Sequence, residues 1–258
     1  MTRKILLSLG FAALACLAKG QDTPAKHLRF SPLGELPVWE ERIENGMRVG
    51  QAPPPGSVPP KEVSIMSSSA AVPFDLGLRA FSKRVTISGE TEALLLRKGA
   101  DPQAPAWLRS RMPAAPLSLG VLYRDPATMS WNDPKMLLLK DDATSFPTGK
   151  IRFVNVSSET VVIMLGDPKK DRPKPTAFGL APGKSVQKDL KVGKNMINVG
   201  YVLANGGRKS IWKNEINVLK SQRVQCFFYE AQDPEATDAV RFHFTPEPIP
   251  RIPPAPNR

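Results

Sequence analysis

Asn195-Met196-Ile197-Asn198-Val199-Gly200-Tyr201-Val202-Leu203-Ala204-Asn205-Gly206-Gly207 places apolar side chains at every second position from Ile197 to Leu203, then residues that tolerate positive φ. A period of two belongs to a strand with one buried face, and Asn-Gly-Gly is a tight-hairpin signal. The same alternation recurs in Val240, Phe242 and Phe244. Working outward, residues 61–245 read as short strands over 62–66, 78–88, 93–98, 117–124, 136–140, 150–157, 160–166, 176–180, 185–191, 195–204, 209–219, 222–230 and 239–245. No long helical period interrupts them. Many short strands with turn residues between them predict an all-β chain built as a β-sandwich of two facing sheets. Phe153, Ile163, Val199, Tyr201, Phe228 and Phe242 are the expected core. Val161-Val162-Ile163-Met164-Leu165 is apolar on both faces, which predicts a central strand covered on one side by the second sheet and on the other by the N-terminal half.

The flanks differ in composition. Residues 21–60 hold eight prolines and residues 246–258 hold six. Both predict extended, polyproline-like arms outside the core. Within the first arm, Pro37 at a first helical position, Trp39 and Ile43 four apart, and Gly46 as a stop predict one short helix. Residues 1–20 read as an export signal: Arg3 and Lys4 open a basic start, Ile5 to Ala18 is apolar, and Ala18-Lys19-Gly20 offers a cleavage site. The apolar run falls short of the roughly 18–20 residues of a spanning helix, so no transmembrane segment is expected. Cys16, in Ala13-Leu14-Ala15-Cys16, lies one place off a lipobox. The expected organisation is therefore 1–20 signal, 21–60 arm, 61–149 N-terminal β half, 150–245 sandwich half and 246–258 tail. The expected location is the periplasm, the outer membrane surface or the exterior.

Ser145-Phe146-Pro147-Thr148-Gly149-Lys150-Ile151-Arg152-Phe153-Val154-Asn155-Val156-Ser157-Ser158, then Val161 to Gly166, then Leu180-Ala181-Pro182-Gly183 before a new strand, is similar to a class of exported bacterial immunoglobulin-like β-sandwich proteins of largely unknown function. A type IV pilus-associated immunoglobulin-like protein is among those it resembles. The pattern is an Arg-Phe-Val-Asn-x-Ser strand, a Leu-Gly turn and an Ala-Pro-Gly turn. It covers residues 141–245, while the first half agrees only in strand rhythm. The resemblance implies an immunoglobulin-like fold and an envelope or pilus protein as partner. It transfers no catalytic residue.

The residues that could carry chemistry are few. The chain has 2 Cys and 2 His, too few for a disulfide framework and thin material for zinc. Cys226 shares a strand face with Val224 and Phe228 and reads as a buried small hydrophobe; a nucleophile would need an exposed, low-pKa thiol. Gly179-Leu180-Ala181-Pro182-Gly183-Lys184-Ser185 imitates a phosphate loop but has three residues between its glycines instead of four, with no helix to follow. His27 lies in the proline-rich arm and His243 on the outward face of its strand. Glu230, Asp233, Glu235 and Asp238 lack the calcium-loop arrangement and read as a solvated hairpin loop. Asn155-Val156-Ser157 is a glycosylation sequon at a strand end, with no glycan expected. No catalytic residue, metal ligand or cofactor is assigned, and an enzyme is not expected.

Charge is the remaining signal. The formal net charge is +12, and residues 150–223 carry 15 cations and 5 anions against 15 and 14 in residues 21–149. Lys169, Lys170, Arg172 and Lys174 crowd one proline-rich loop; Lys184, Lys188, Lys191 and Lys194 follow, then Arg208, Lys209 and Lys213 flank a hairpin. Such an excess favours encounter with acidic glycans, lipopolysaccharide or other polyanions. Nucleic acid is the least favoured, for want of aromatic residues among the cations. Two functions follow from these observations. One is a non-enzymatic structural or adhesive module of the cell envelope, pilus-associated, pairing through an edge strand or the arms. The other is a binding module for acidic glycans or other polyanions through 169–213.

Overall fold

The computed structural model describes residues 25–37, 41–67, 70–87, 92–166, 176–233 and 235–249. All regular structure among them is β. Four four-stranded sheets and one separate hairpin account for the 18 strands. The first sheet contains β1 (Lys26–Leu33), β6 (Val85–Ile87), β9 (Leu117–Arg124) and β10 (Pro134–Lys140) in the order β10-β9-β1-β6. The second contains β4 (Glu62–Ser67), β5 (Ala70–Asp75), β7 (Ala93–Lys98) and β8 (Ala106–Arg111), ordered β5-β4-β7-β8. The third contains β11 (Lys150–Asn155), β14 (Lys184–Asp189), β17 (Gln222–Glu230) and β18 (Val240–Pro248), ordered β14-β11-β17-β18. The fourth contains β12 (Val161–Gly166), β13 (Thr176–Leu180), β15 (Gly193–Val202) and β16 (Arg208–Val218), ordered β13-β12-β15-β16. The hairpin is β2 (Glu41–Glu44) with β3 (Met47–Gly50).

Side-chain alternation stacks these sheets four deep. Leu28 and Phe30 of β1 turn into a core shared with Ile65, Leu94 and Leu96 of the second sheet. Leu33, on the other face of β1, joins Leu119, Val121, Val154, Phe227 and Tyr229 in a core between the first and third sheets. In β17 the division is complete: Val224, Cys226 and Phe228 enter the core between the third and fourth sheets, while Phe227 and Tyr229 enter the middle core. Two sandwiches thus stand back to back. The central strands of their inner sheets are buried on both faces, so Val121–Tyr123 of β9 and Cys226–Tyr229 of β17 read as unbroken apolar runs instead of clean alternation.

Several expectations are corrected. The body is two sandwiches, with four facing sheets where two were expected. Lys26–Leu33, inside the proline-rich stretch read as an arm, is a buried inner strand running parallel to β9. It is extended, as its composition implies, but Pro32 sits late in the strand and Leu28, Phe30 and Leu33 are core residues. At the other end β18 continues to Pro248 and buries Glu247, so the tail begins later than its prolines suggest. In the described part of the expected Pro37 to Gly46 helix the chain is a hairpin: Glu41–Glu44 is a strand, and Asn45 (φ 49) and Gly46 (φ 78) form the β2–β3 turn, while Trp39 lies outside the described residues. Two successive positive φ values are what a type I′ turn requires, and Asn-Gly supplies them. The strand covered on both faces is β17, with β11, while Val162 and Met164 of β12 turn to the outer face of an outer sheet. The signal and Cys16 lie outside the described residues.

Phe153, Ile163, Val199, Tyr201 and Phe228 are core residues, and Phe242 is half-buried among Trp212 and Phe244 at ring distances of 5.3 and 5.5 Å. Chemical denaturation should therefore rank them: Phe153→Ala costs about 3–5 kcal/mol, as for a fully buried ring, and Phe242→Ala costs about 1–2 kcal/mol. Equal losses would place Phe242 deeper than its half-buried position.

Candidate functional site

The C-terminal sandwich carries the cations on which the sequence reading relies, and its topology separates them. Lys169, Lys170, Arg172 and Lys174 lie outside the described residues. Lys184 and Lys188 belong to β14, at one edge of the third sheet, where Lys188 Nζ stands 4.8 Å from the centre of the Phe178 ring on β13. Arg208, Lys209 and Lys213 belong to β16, at the opposite edge of the sandwich, where Trp212 packs on Phe242 and Phe244 of β18. Lys194 is bridged to Glu215 at 3.0 Å and Lys209 to Asp238 at 2.9 Å. Lys191 is exposed beyond β14. Lys184 and Lys188 therefore occupy one edge and Arg208, Lys209 and Lys213 the opposite one instead of one surface, and some of the charge is already compensated. Lys184, Arg208 and Lys213 are exposed, with no ion-pair partner among the described residues.

The other sequence candidates are absorbed into structure. The imitation phosphate loop is a turn carrying the chain from β13 in the outer sheet to β14 in the inner one, with Gly183 at φ 69. Asn155 of the sequon is buried; its side-chain amide donates to the carbonyls of Glu159 and Leu180 at 2.8 Å each. Of the acidic loop, Glu230 accepts from the Ser158 amide and Asp238 pairs with Lys209. Cys226 is fully buried, and burial pushes its thiol well above the ordinary value, which makes it a poor nucleophile. His27 Nδ1 meets Thr86 Oγ1 at 2.9 Å. His243 does not face outward: it is paired with Phe227 on the side of β18 that meets the first sandwich. There burial, then the charge of Arg79, lowers its pKa.

The cluster that sequence reading missed lies between the two inner sheets. Arg29 on β1 sends Nε and Nη2 to Asp141 Oδ2 at 2.7 Å, and Nη1 to Glu247 Oε2 at 2.6 Å. Arg223 on β17, with no solvent exposure, donates to Asp141 Oδ1 at 2.7 Å and to the carbonyls of Asp141 and Phe146. Arg152 on β11 donates to the Lys140 carbonyl at 2.7 Å and lies 4.0 Å over the Phe146 ring. Gln225 holds Glu247 Oε1 at 2.9 Å. Three arginines thus share two carboxylates. Burial pushes the Arg152 guanidinium down to about 10, still far above neutrality, against the opposing pull of Asp141. Burial alone would raise Glu247, but the hydrogen bonds and charges of Arg29 and Arg223 outweigh it and hold the carboxyl below its ordinary 4.5. At the other end of the interface Glu35 reaches Arg241 Nε at 3.0 Å and the Gln232 amide at 3.0 Å. The signal that was present is Arg152 between Ile151 and Phe153 and Arg223 beside Val224, within apolar strands where an unpaired charge would be prohibitive.

No family model and no curated protein matches the chain. Among solved structures it is similar to one described as "Trapped Toxin", at 8% identity and TM-score 0.24, covering 45% of this chain and 25% of that one. A second is the membrane pore complex of pneumolysin, at 11% identity and TM-score 0.27, covering 71% and 45%. A third is described as a "putative cell adhesion protein" from Bacteroides eggerthii, at 6% identity and TM-score 0.22, covering 89% and 98%. This chain spans a quarter of the first and under half of the second. These similarities are too distant to carry a functional argument.

Removing one partner of the buried cluster should cost more than removing both. Glu247→Gln leaves guanidinium charge uncompensated and is expected to lose about 3–5 kcal/mol. Pairing it with Arg29→Met should recover part of that loss in a double-mutant cycle. The pH dependence has a definite sign. A carboxyl whose folded pKa is depressed contributes stability above its unfolded value near 4.5, and that contribution disappears as pH falls through the folded pKa. Thermal melts from pH 6 to pH 3 should show the decline in wild type, and a smaller one in Glu247→Gln.

Proposed function

We propose that the chain is a non-enzymatic structural or adhesive interaction module, exported to the cell envelope and associated with pili. The observation that carries this reading is the use made of the buried charges. Arg29, Asp141, Arg152, Arg223 and Glu247 are all spent on binding one sheet to another, which suits a rigid scaffold that presents surfaces. Those surfaces include eight sheet-edge strands and the exposed β2–β3 hairpin, where Ile43 is 73% and Met47 67% exposed. A two-stranded hairpin is marginal in water on its own, so a partner surface would stabilise it. Photo-crosslinkers placed at Ile43 and on sheet edges should give discrete adducts in envelope fractions. Recovery of the chain solely from the cytosol would overturn the reading, as would a turnover activity abolished by substituting one carboxylate.

A second reading, binding of acidic glycans or other polyanions, is favoured by Lys184, Arg208 and Lys213, which are exposed and have no ion-pair partner among the described residues. Because these occupy opposite edges, Lys184→Glu and Arg208→Glu/Lys213→Glu act as independent probes. If polyanion binding is the function, retention on heparin falls steeply with salt and one of the two variants abolishes it while thermal stability holds. Retention unchanged in both variants removes the described edges from consideration.

A further inference from the structure

A groove of about 510 Å³ opens on one side of the first sandwich, where its two sheets end in β8 and β10. Trp107, Leu108 and Arg109 line one wall, Lys135 and Met136 the other, with Tyr123 beside them. Both strands pair on one side only. Among the described residues, no main-chain group of Lys135–Leu139 bonds to anything beyond β9.

Five of the other seven sheet edges carry features that discourage pairing along their length, whereas β10 confines its proline and lysines to its ends and leaves Met136–Leu139 apolar and uncharged. β5 has Pro73 at its centre and β18 has Pro246 and Pro248. β6 is three residues long, and β16 has a bulge opposite Val199 and Gly200. β14 presents Lys184 and Lys188. These are the devices by which edge strands avoid adding another strand. β10 has one proline, at its first position, and then Lys135-Met136-Leu137-Leu138-Leu139-Lys140.

The strand's neighbours specify what would fit beside it. Met136 and Leu138 pack against the core of the first sandwich, and Leu137 and Leu139 against the core between the sandwiches. All four are half-buried, since both layers stop at this edge. A strand added there would lay its side chains beside the half-buried Met136 and Leu138 on one face and Leu137 and Leu139 on the other, so apolar side chains on both faces would complete their burial. Lys135 and Lys140 mark its two ends, and Arg109 faces it from β8. Lys135 is bridged to Asp125 at 3.1 Å, while Arg109 and Lys140 have no ion-pair partner among the described residues. The groove lining carries Arg109 and Lys135 against the single carboxylate of Asp133. We propose that the free edge of β10 takes one extended segment of a partner polypeptide, apolar along its length and acidic at its ends, as an added strand. A second copy of this chain fits less well, because its β10 would bring the same terminal lysines to the same edge.

This rests on the reading of the chain as an interaction module, and it is tested apart from it. The probe is a fluorescently labelled seven-residue peptide, glutamate at each end and alternating valine and isoleucine between, added to the full chain. Saturable polarisation is expected, with slowed amide exchange over Lys135–Lys140. N-methylation of alternate peptide amides, which removes main-chain donors and leaves the side chains, should weaken binding at least about tenfold. Lysine in place of both glutamates should do likewise, and Arg109→Glu/Lys140→Glu should restore binding of that lysine-flanked peptide. Overturning results are no saturable binding by the first peptide, equal binding by the N-methylated one, or sedimentation showing that β10 is occupied in a dimer the peptide does not dissociate. If the edge fails while crosslinks from other surfaces persist in envelope fractions, the docking edge falls and the module stands.

Discussion

Arg223 has no solvent exposure, and its charge is tolerable only because Asp141 and Glu247 are brought to it from two other segments of the chain. Asp141 follows the last strand of the first sandwich, and Glu247 lies on the last strand of the second. Arg29, the partner of both, lies on the first strand of the fold. The four residues therefore join the beginning, middle and end of the described chain at one point. A buried network of this kind contributes little net stability over a well-packed apolar replacement. Its effect is on specificity, since a slipped register would leave a guanidinium or carboxylate without a partner in low dielectric.

That constraint orders the packing around it. With Arg29, Arg152, Arg223 and Gln225 committed to the face between the sandwiches, the alternating residues of β1, β11 and β17 are committed to the outer cores. A one-residue slip of β17 would put Arg223 and Gln225 among Ile151, Phe153 and Val161, and would move Cys226 out of that core. The middle interface thus runs from this charged cluster through an apolar stretch, where Leu33, Val156, Phe227 and Tyr229 meet, to the Glu35–Arg241 pair. Arginine rings out the transition by stacking: Arg29 lies 4.0 Å over Phe81, and Arg152 and Arg223 share Phe146. The aromatic faces supply favourable electrostatics where hydrogen-bond acceptors run out.

The surfaces follow from the same stacking. Four sheets arranged as two back-to-back sandwiches leave four pairs of adjacent edges, and cations that are close in sequence are dealt to different ones. Lys184 and Lys188 go with β14, and Arg208 and Lys213 with β16, on the far side. A cationic segment is consequently not a cationic patch. Proline, shortness, bulges and charge mark most of the edges along their length, and β10 differs in keeping its proline and lysines at its ends, around the apolar Met136–Leu139.

Period-two alternation in Ile197 to Leu203 and in Val240 to Phe244 was enough to establish an all-β chain, and the strand at 222–230 was readable to the residue. These features are local, set by how one strand face meets a core. Alternation could not say what covered the second face, because an apolar run looks the same whether it meets a partner sheet or another sandwich; Val161–Leu165 and Val224–Tyr229 were indistinguishable on that ground. Nor could composition separate a proline-rich arm from a strand that tolerates one late proline, which is why Lys26–Leu33 was misread. Asn45-Gly46 carried a legible hairpin signal that a weak helical spacing obscured. The meeting of Arg29, Asp141, Arg223 and Glu247 was decided by tertiary structure alone. The Arg29–Glu247 pair spans 218 positions, and a contact over that distance is set by chain topology, to which no spacing rule along the sequence applies.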